Sequence, residues 1–227
     1  EELFAVLLRN LYGMPSAARN FQKHRDQFIL ETFNKDQWSC KRCIMDPCMF
    51  VINKEGKTTW MLCYVDDRDC ASQCQSHLRE IFQLMNKAWK CKEIPSDYIL
   101  GVKRTRTEVN EKITIKMTME AYVEGMYTAF KDYVPKRSVK TPAEHNLLLT
   151  LSKEPLNEEN HRVLKRGYQS AVGMILWASR GGYPQSLYAV SQLCKLMSKP
   201  TEEAWDAAMH LIAWMHEKKN HRHYFQQ

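Results

Sequence analysis

The stretch Trp60-Met61-Leu62-Cys63-Tyr64-Val65-Asp66-Asp67 is the part of the sequence from which the fold is interpreted. Strand alternation places Trp60, Leu62 and Tyr64 on one face of a β-strand and the residues between them on the other. The residues that follow are polar, so the strand is expected to turn at the two aspartates. The sequence therefore predicts a β-hairpin with adjacent carboxylates at its tip.

Two neighbouring carboxylates in that position point to a divalent cation. Asp66 and Asp67 repel each other unless a cation lies beside them. Mg²⁺ prefers oxygen ligands, and a pair of such ions is a general arrangement for phosphoryl transfer. The alternative is a solvated turn, because Asp is a favoured turn residue. These residues alone favour the turn.

The amino-acid composition is typical of a soluble globular protein rather than a membrane protein. The chain has 227 residues, 44% of them hydrophobic and 11% aromatic, as expected for a soluble globular protein of one or two domains. No apolar run is long enough to span a membrane and the chain does not open with a signal peptide, so we expect an intracellular protein, cytoplasmic or nuclear. The net charge of +7 suits a polyanionic partner.

Periodicity and turn residues predict the order of the elements. A helix is expected over Ala17–Phe33 with Ser16 as its cap, and another behind a capping box formed by Ser72 and Gln75. Later helices are predicted over 119–133, 160–180 and 185–197 and after Pro200. The predicted strands cover 48–52, 58–64, 99–105 and 113–119, with turns at Asn53–Gly56 and Glu108–Glu111.

Two groups of residues raise the question of a metal site. Cys40, Cys43 and Cys48 have spacings seen in zinc sites, but no fourth ligand follows at a suitable distance. Free thiols are therefore preferred, and a zinc-stabilised interaction module is the alternative. The histidines at 216, 221 and 223 are interpreted as part of a solvated basic tail rather than as metal ligands.

Tyr-Val-Asp-Asp is also the catalytic signature of reverse transcriptases, and the chain resembles the copia-type retrotransposon branch of that family. Further segments that resemble the family follow in the same order along nearly the whole chain. They are Leu11-Tyr12-Gly13-Met14 with Arg19 and Phe21, Asp46-Pro47-Cys48-Met49-Phe50, Tyr98-Ile99-Leu100-Gly101-Val102, Thr141-Pro142, Tyr168-Gln169-Ser170-Ala171-Val172-Gly173, Tyr188-Ala189-Val190-Ser191, and Met197-Ser198-Lys199-Pro200-Thr201-Glu202-Glu203 with Trp205.

The resemblance implies an α+β fold. An antiparallel palm sheet with flanking helices is expected first, followed by a mostly helical thumb and connection region. The partial palm, with both hairpins, is expected to cover residues 1–118, and the helical region residues 119–227.

The resemblance also implies an RNA-directed DNA polymerase. Asp66 and Asp67 would bind Mg²⁺ or Mn²⁺ for two-metal nucleotidyl transfer, and Tyr64 would support the primer terminus. The implied partners are an RNA or DNA template with its primer, deoxynucleotide triphosphates and the remaining segments of the polyprotein, with no membrane. The other implied site residues are Gly13 and Arg19 for nucleotide and template, Leu100, Gly101 and Lys103 for the primer grip, and Lys92 as a possible general acid.

The sequence departs from the family at several positions. Pro15 and Ser16 stand where the family has Lys and Gln, and Arg68 and Asp69 stand where it has apolar residues. The family's third palm aspartate and its fingers would precede this sequence. We therefore expect a part of a polymerase that is inactive alone. The alternative is a degenerate, non-catalytic remnant that binds nucleic acid.

Overall fold

A computed structural model describes residues 13–95, 97–109 and 112–226. The chain forms two units, Glu1–Ile94 and Pro95–Gln227. Leu11 and Tyr12 of the first family-like segment, and Asn110 and Glu111 of the predicted second turn, lie outside the described residues. No helix in the described ranges is long and apolar enough to cross a membrane.

The first unit consists of an antiparallel sheet and two helices. The sheet is a meander in which the strands lie side by side in chain order. The elements are α1 (Ala17–Thr32), β1 (Trp38–Arg42), β2 (Met49–Lys54), β3 (Lys57–Tyr64), β4 (Asp67–Ser72) and α2 (Gln75–Trp89). The predicted first helix and the hairpin that ends at the two aspartates are confirmed, but the side chain of Ser16 forms no capping hydrogen bond.

The core of this unit lies on one face of the sheet. Met61 in β3 is fully buried, whereas its neighbour Trp60 is 42% exposed, so the predicted alternation is confirmed. Ile29 and Phe33 pack against the core face together with residues of α2. The other face carries Trp60 and Tyr64, and both remain accessible to solvent.

Two local predictions in this unit had different outcomes. The predicted turn before β3 is confirmed: Glu55 and Gly56 both have positive φ, as a two-residue hairpin turn requires. The predicted capping box is wrong. Because Ser72 still belongs to β4, its hydroxyl bonds with that of Thr59 at 2.6 Å and accepts from the backbone N–H of Cys74, and so does not cap α2.

The second unit combines a smaller sheet with a helical core. Its sheet is also antiparallel, with β5 at one edge and β8, which follows the helices in the chain, at the other. The elements are β5 (Tyr98–Ile99), β6 (Val102–Val109), β7 (Lys112–Thr118), α3 (Glu120–Phe130), α4 (Glu158–Lys165), α5 (Tyr168–Gly181), a 3₁₀ turn (Pro184–Ser186), α6 (Leu187–Cys194), α7 (Glu202–Glu217) and β8 (His223–Gln226).

The helical core is built around α7, which packs against α3, α4, α5 and α6. A long segment without helix or strand lies between α3 and α4, and side chains of the helices hold it. Glu217 accepts the backbone N–H of Val139 at 2.7 Å, and Trp214 donates to the carbonyl of Lys140 at 3.3 Å. These bonds satisfy backbone groups that no regular element pairs.

The predicted helix over 160–180 is two helices, and that prediction is wrong. Gly167 adopts φ +93° between α4 and α5, a conformation that ends a right-handed helix. Helix α4 also begins earlier than predicted, because Asn157 and Asn160 form a reciprocal capping box.

The C-terminal residues are not a solvated tail. β8 pairs with β7, with Tyr224 opposite Lys116. The histidines have separate contacts: His216 stacks on Tyr127 at 3.7 Å, and Nε2 of His223 lies 2.9 Å from the carbonyl oxygen of Gly182. The tail prediction is therefore wrong.

The division of the chain also differs from the predicted one. The predicted boundary follows Thr118, whereas the two compact units divide before Pro95. The reason is that β6 and β7 make their contacts with the helical core and the C-terminal strand, and so belong to the second unit. Val102 belongs to its hydrophobic core, and β7 pairs with the C-terminal strand.

The turn between β5 and β6 provides a test of local packing. Leu100 and Gly101 both have positive φ, and a Cβ at position 101 would lie 3.3 Å from Tyr122 and 3.4 Å from Nε1 of Trp177. Gly101→Ala should lower the free energy of unfolding by about 2 kcal/mol, of which about 1 kcal/mol is backbone strain.

The matched control is Gly56→Ala, which has φ +70° and no atom within 4 Å of the added methyl group. It should show only the backbone cost of about 1 kcal/mol. Urea unfolding of both variants measures the difference. Equal losses of stability would contradict the close contact at Gly101.

Candidate functional site

The two aspartates lie at the tip of the β3–β4 hairpin, as predicted. Tyr64 pairs with Asp67, so Val65 and Asp66 form a two-residue turn. The carboxylates of Asp66 and Asp67 are exposed. Val65 adopts φ +54°, which is strained for a β-branched residue.

A buried arginine holds this turn against α1. Nη1 of Arg25 donates to the carbonyl oxygen of Val65 at 2.9 Å, and Arg25 is only 1% exposed. Its guanidinium also contacts Asp26 at 2.7 Å, and the other oxygen of Asp26 accepts from Arg42 at 2.6 Å. Nε of Arg42 donates to the carbonyl oxygen of Pro47. We call Arg25, Asp26 and Arg42 the ionic cluster.

The ionic cluster is not among the features predicted from the sequence. The two adjacent charges at 25 and 26 precede Phe28 and Ile29 on α1, and charged residues on an amphipathic helix normally face solvent. The position of two charged residues next to the apolar residues of this helix is only weak evidence, from the sequence, that their side chains are buried. The long-range bond to Val65 has no signal in the sequence.

The charged residues of β4 have a structural explanation. Arg68 is half-buried, with its guanidinium 5.0 Å from the ring centre of Trp89 in α2. It also donates to the backbone carbonyl of Asp66 at 3.3 Å. β4 is an edge strand, where charges are common because they oppose pairing with other chains. A charged residue at position 68, where the resemblance predicts an apolar one, is therefore compatible with an ordered hairpin.

The carboxylate oxygens at the hairpin tip are suitable ligands for a divalent cation, but they form only part of a coordination site. Asp66 and Asp67 offer carboxylate oxygens, which Mg²⁺ and Mn²⁺ bind. Within residues 13–95, 97–109 and 112–226, no three His, Cys, Asp or Glu side chains are grouped to hold a metal ion. Two adjacent carboxylates approach from one side, so a complete site needs at least one further ligand.

The other predicted site residues of the first unit are exposed. Gly13 has φ +88° in the turn before α1. Arg19, in the first turns of α1, lines an open depression together with Asp26 and Arg42. Lys92 lies in the irregular segment after α2.

The predicted primer-grip residues belong to the second unit. Leu100 and Gly101 form the β5–β6 turn, and Trp177 of α5 donates to the carbonyl oxygen of Leu100 at 3.1 Å. Lys103 is exposed on β6, opposite Thr118 of β7. The turn is thus fixed by a helix, while the lysine is free to meet a ligand.

The cysteines of the possible zinc group are in different environments. All eight cysteines of the chain are unpaired. Cys40 lies in the core beside Cys63, and burial raises the pKa of each thiol to about 11. In the absence of a metal ion, burial therefore keeps Cys40 in the thiol form.

One comparison with known proteins identifies a relative. The chain is 26% identical over 218 residues to the retrovirus-related Pol polyprotein from transposon TNT 1-94 of Nicotiana tabacum, and the match covers 95% of this chain. The chain spans 16% of the length of that polyprotein. No family model and no solved structure matches. The similarity supports an origin in a retrotransposon polyprotein.

Thiol reactivity should differ strongly along the chain. Burial raises the pKa of Cys70 to about 12, whereas the bond from the Ser76 hydroxyl lowers the pKa of Cys74. Near pH 8 we expect iodoacetamide to modify Cys74 first, because only a thiolate reacts, and Cys40, Cys63 and Cys70 only after unfolding. Peptide mass spectrometry after timed pulses gives the order, with Cys74→Ser as the control. Early labelling of Cys63 would contradict the buried environment.

The strain at Val65 can be measured separately. Val65→Gly should leave the free energy of unfolding of the first unit unchanged or raise it by about 1 kcal/mol, because glycine adopts positive φ without strain. The control Val51→Gly, in β2 at ordinary φ, should lower it by about 1 kcal/mol or more. Urea midpoints compare the two. A similar loss in both variants would mean that Val65 is not strained.

Proposed function

We propose that the chain is the palm and thumb part of an RNA-directed DNA polymerase, a reverse transcriptase of a copia-type retrotransposon polyprotein. The observation that carries the proposal is the position of Asp66 and Asp67 at an exposed, tightly held hairpin tip. The sequence similarity to a Pol polyprotein supports the same assignment. The palm fold is part of the proposal and rests on the resemblance, with which the antiparallel sheet and the two helices on one of its faces agree.

Each residue at the tip has a distinct role in this proposal. Asp66 and Asp67 hold Mg²⁺ or Mn²⁺, which when bound lowers the pKa of the primer hydroxyl and stabilises charge on the leaving pyrophosphate. Tyr64 lies on the open face of the sheet beside the tip and supports the primer terminus. The ionic cluster keeps the turn in one orientation, so that the carboxylates need not reorganise when the substrate binds.

The remaining predicted residues bind the substrates. Gly13 and Arg19 contact the nucleotide and the template, and Lys92 protonates the leaving pyrophosphate. Leu100, Gly101 and Lys103 grip the primer. The partners are an RNA or DNA template with its primer, and deoxynucleotide triphosphates.

The site needs a further carboxylate from elsewhere in the polyprotein. Two ions about 3.5–4 Å apart require ligands from more than one direction, and the carboxylates of adjacent residues supply only one. The relative is about six times as long as the matched region, since the chain spans 16% of it. We propose that the active polymerase includes the remaining segments of such a polyprotein.

A second candidate function is a non-catalytic remnant that binds nucleic acid. The observation that favours it is the pair Arg68 and Asp69 directly after the tip, where the family has apolar residues. Arg68 is committed to contacts with Trp89 and with the backbone of Asp66. Such a chain would still bind nucleic acid through its basic surfaces but would not catalyse nucleotidyl transfer.

A primer-extension assay tests both candidates. The chain alone should not extend a primer, whereas the chain joined to the upstream part of a copia-type polyprotein should do so with Mg²⁺. Asp66→Asn and Asp67→Asn should each remove that activity, because an amide is a poorer ligand and carries no charge. The control is Asp36→Asn, an exposed turn aspartate with φ +54° that Asn tolerates.

Two outcomes would change the assignment. Extension by the chain alone, lost in Asp66→Asn, would mean that no further carboxylate is needed. Absence of extension in the joined protein, with nucleic-acid binding retained, would favour the remnant.

A further inference from the structure

The sheet of the second unit has one face that carries lysines and tyrosines together. Side chains of a strand alternate between faces, and residues opposite each other in neighbouring strands share a face. Lys103 lies opposite Tyr98 of β5, Thr105 of β6 opposite Lys116, and Lys116 opposite Tyr224 of β8. Lys112 is on the same face as Lys116. The lysine–tyrosine face is defined by Tyr98, Lys103, Lys112, Lys116 and Tyr224.

This face is open and its positive charge is not compensated. Tyr98 is 48% exposed and Tyr224 is 61% exposed, and Lys103 and Lys112 are exposed as well. Every described strand residue on this face is neutral or basic. The lysines form no ion pair with any described residue of the chain.

The opposite face of the same strands has different chemistry. It carries Ile113, Ile115 and Phe225, together with Arg106, which is paired with Glu108 at 2.8 Å. Alternation along β6 places Lys103 on the face opposite to that of Arg106. Of the two faces of the described strands β5 to β8, the lysine–tyrosine face is the one that combines exposed aromatic rings with lysines that form no ion pair with a described residue.

We propose that the lysine–tyrosine face binds single-stranded nucleic acid. Lysines neutralise phosphates, and the threonine hydroxyls between them can donate to phosphate oxygens. Exposed tyrosines stack on bases whatever the base sequence. Stacking requires unpaired bases, because a duplex presents its phosphates but buries the faces of its bases, so the ligand is a single strand. This binding proposal depends on the proposed polymerase function in one respect, namely that the ligand is a nucleic acid.

The spacing on the face suits such a strand. Alternate residues of one strand are about 6.8 Å apart and neighbouring strands about 4.8 Å apart. Lys112 and Lys116 are therefore about 14 Å apart on β7, a span of about two nucleotides of extended chain. Tyr224 lies beside Lys116 on the neighbouring strand, so one base and its phosphate can meet the two side chains together.

The test is the affinity of the whole chain for a fluorescent 20-nucleotide oligo-dT, measured by anisotropy at several salt concentrations. Tyr224→Ser should weaken binding by a factor of about 5–100, the range expected for loss of one stacked base. Tyr224→Phe should restore it, since phenylalanine keeps the ring. Lys116→Ala should lower the log–log salt slope by about 0.7. A duplex of the same length should bind without sensitivity to Tyr224→Ser.

Two variants on the opposite face serve as controls. Phe225→Ser removes an aromatic ring from the same strand, and Arg106→Ala removes a cation from β6. Both should change the affinity less than twofold. Loss of binding in the controls with no effect at Tyr224 and Lys116 would overturn the proposal, as would absence of binding at low salt or identical behaviour of all variants.

The outcome can be separated from that of the polymerase proposal. If the joined protein extends primers while Tyr224→Ser binds oligo-dT normally, the proposal for the lysine–tyrosine face is wrong and the polymerase proposal is unaffected. If extension fails but oligo-dT binding depends on Tyr224 and Lys116, the face is supported without the polymerase.

Discussion

The bond between the buried guanidinium of Arg25 and the carbonyl of Val65 is the interaction on which the candidate site depends. A cation removed from water needs full compensation, and Arg25 obtains it from that carbonyl and from Asp26. Asp26 is shared with Arg42, which in turn bonds to the loop between β1 and β2. One cluster therefore joins a helix, a loop and the hairpin tip at the same end of the sheet. Loss of Asp26 would leave the buried guanidinium of Arg25 without its counter-charge, so the position of the two aspartates depends on this ion pair as well as on the bond to Val65.

Both units leave residues of interest on sheet surfaces that helices do not cover. In the first unit, α1 and α2 pack on the face with Phe50 and Met61, and Trp60 and Tyr64 are left accessible. In the second unit, β6 begins at Val102 in the hydrophobic core and ends at the exposed Val109. The strands thus extend beyond the helices that anchor them. In both cases helices fix the backbone while the side chains on the other face stay free to contact a ligand.

The sequence predicted features that depend on neighbouring residues and missed those that depend on distant ones. Alternation around Tyr64 and the turn preference of aspartate were enough to place the hairpin tip. The turn at Glu55 and Gly56 followed from the same kind of local rule. The ionic cluster was not predictable, because nothing local shows that Arg25 reaches a residue 40 positions away. Pairing of β8 with β7 is likewise a long-range contact, and His223 resembled a residue of a polar tail. The palm fold and the polymerase chemistry remain predictions that rest on the resemblance.

The order of strands in the two sheets has a consequence for synthesis on the ribosome. Every strand pair of the first sheet joins consecutive strands, and its connections are short. Such local topology folds fast, so the first unit can form soon after α2 has left the exit tunnel. The second sheet is different, because β7 must wait for β8, which follows about 100 residues later. Until then one edge of β7 has no partner, and the nascent chain exposes a strand with Ile113 and Ile115 at the stage when unpaired strands are most prone to aggregate.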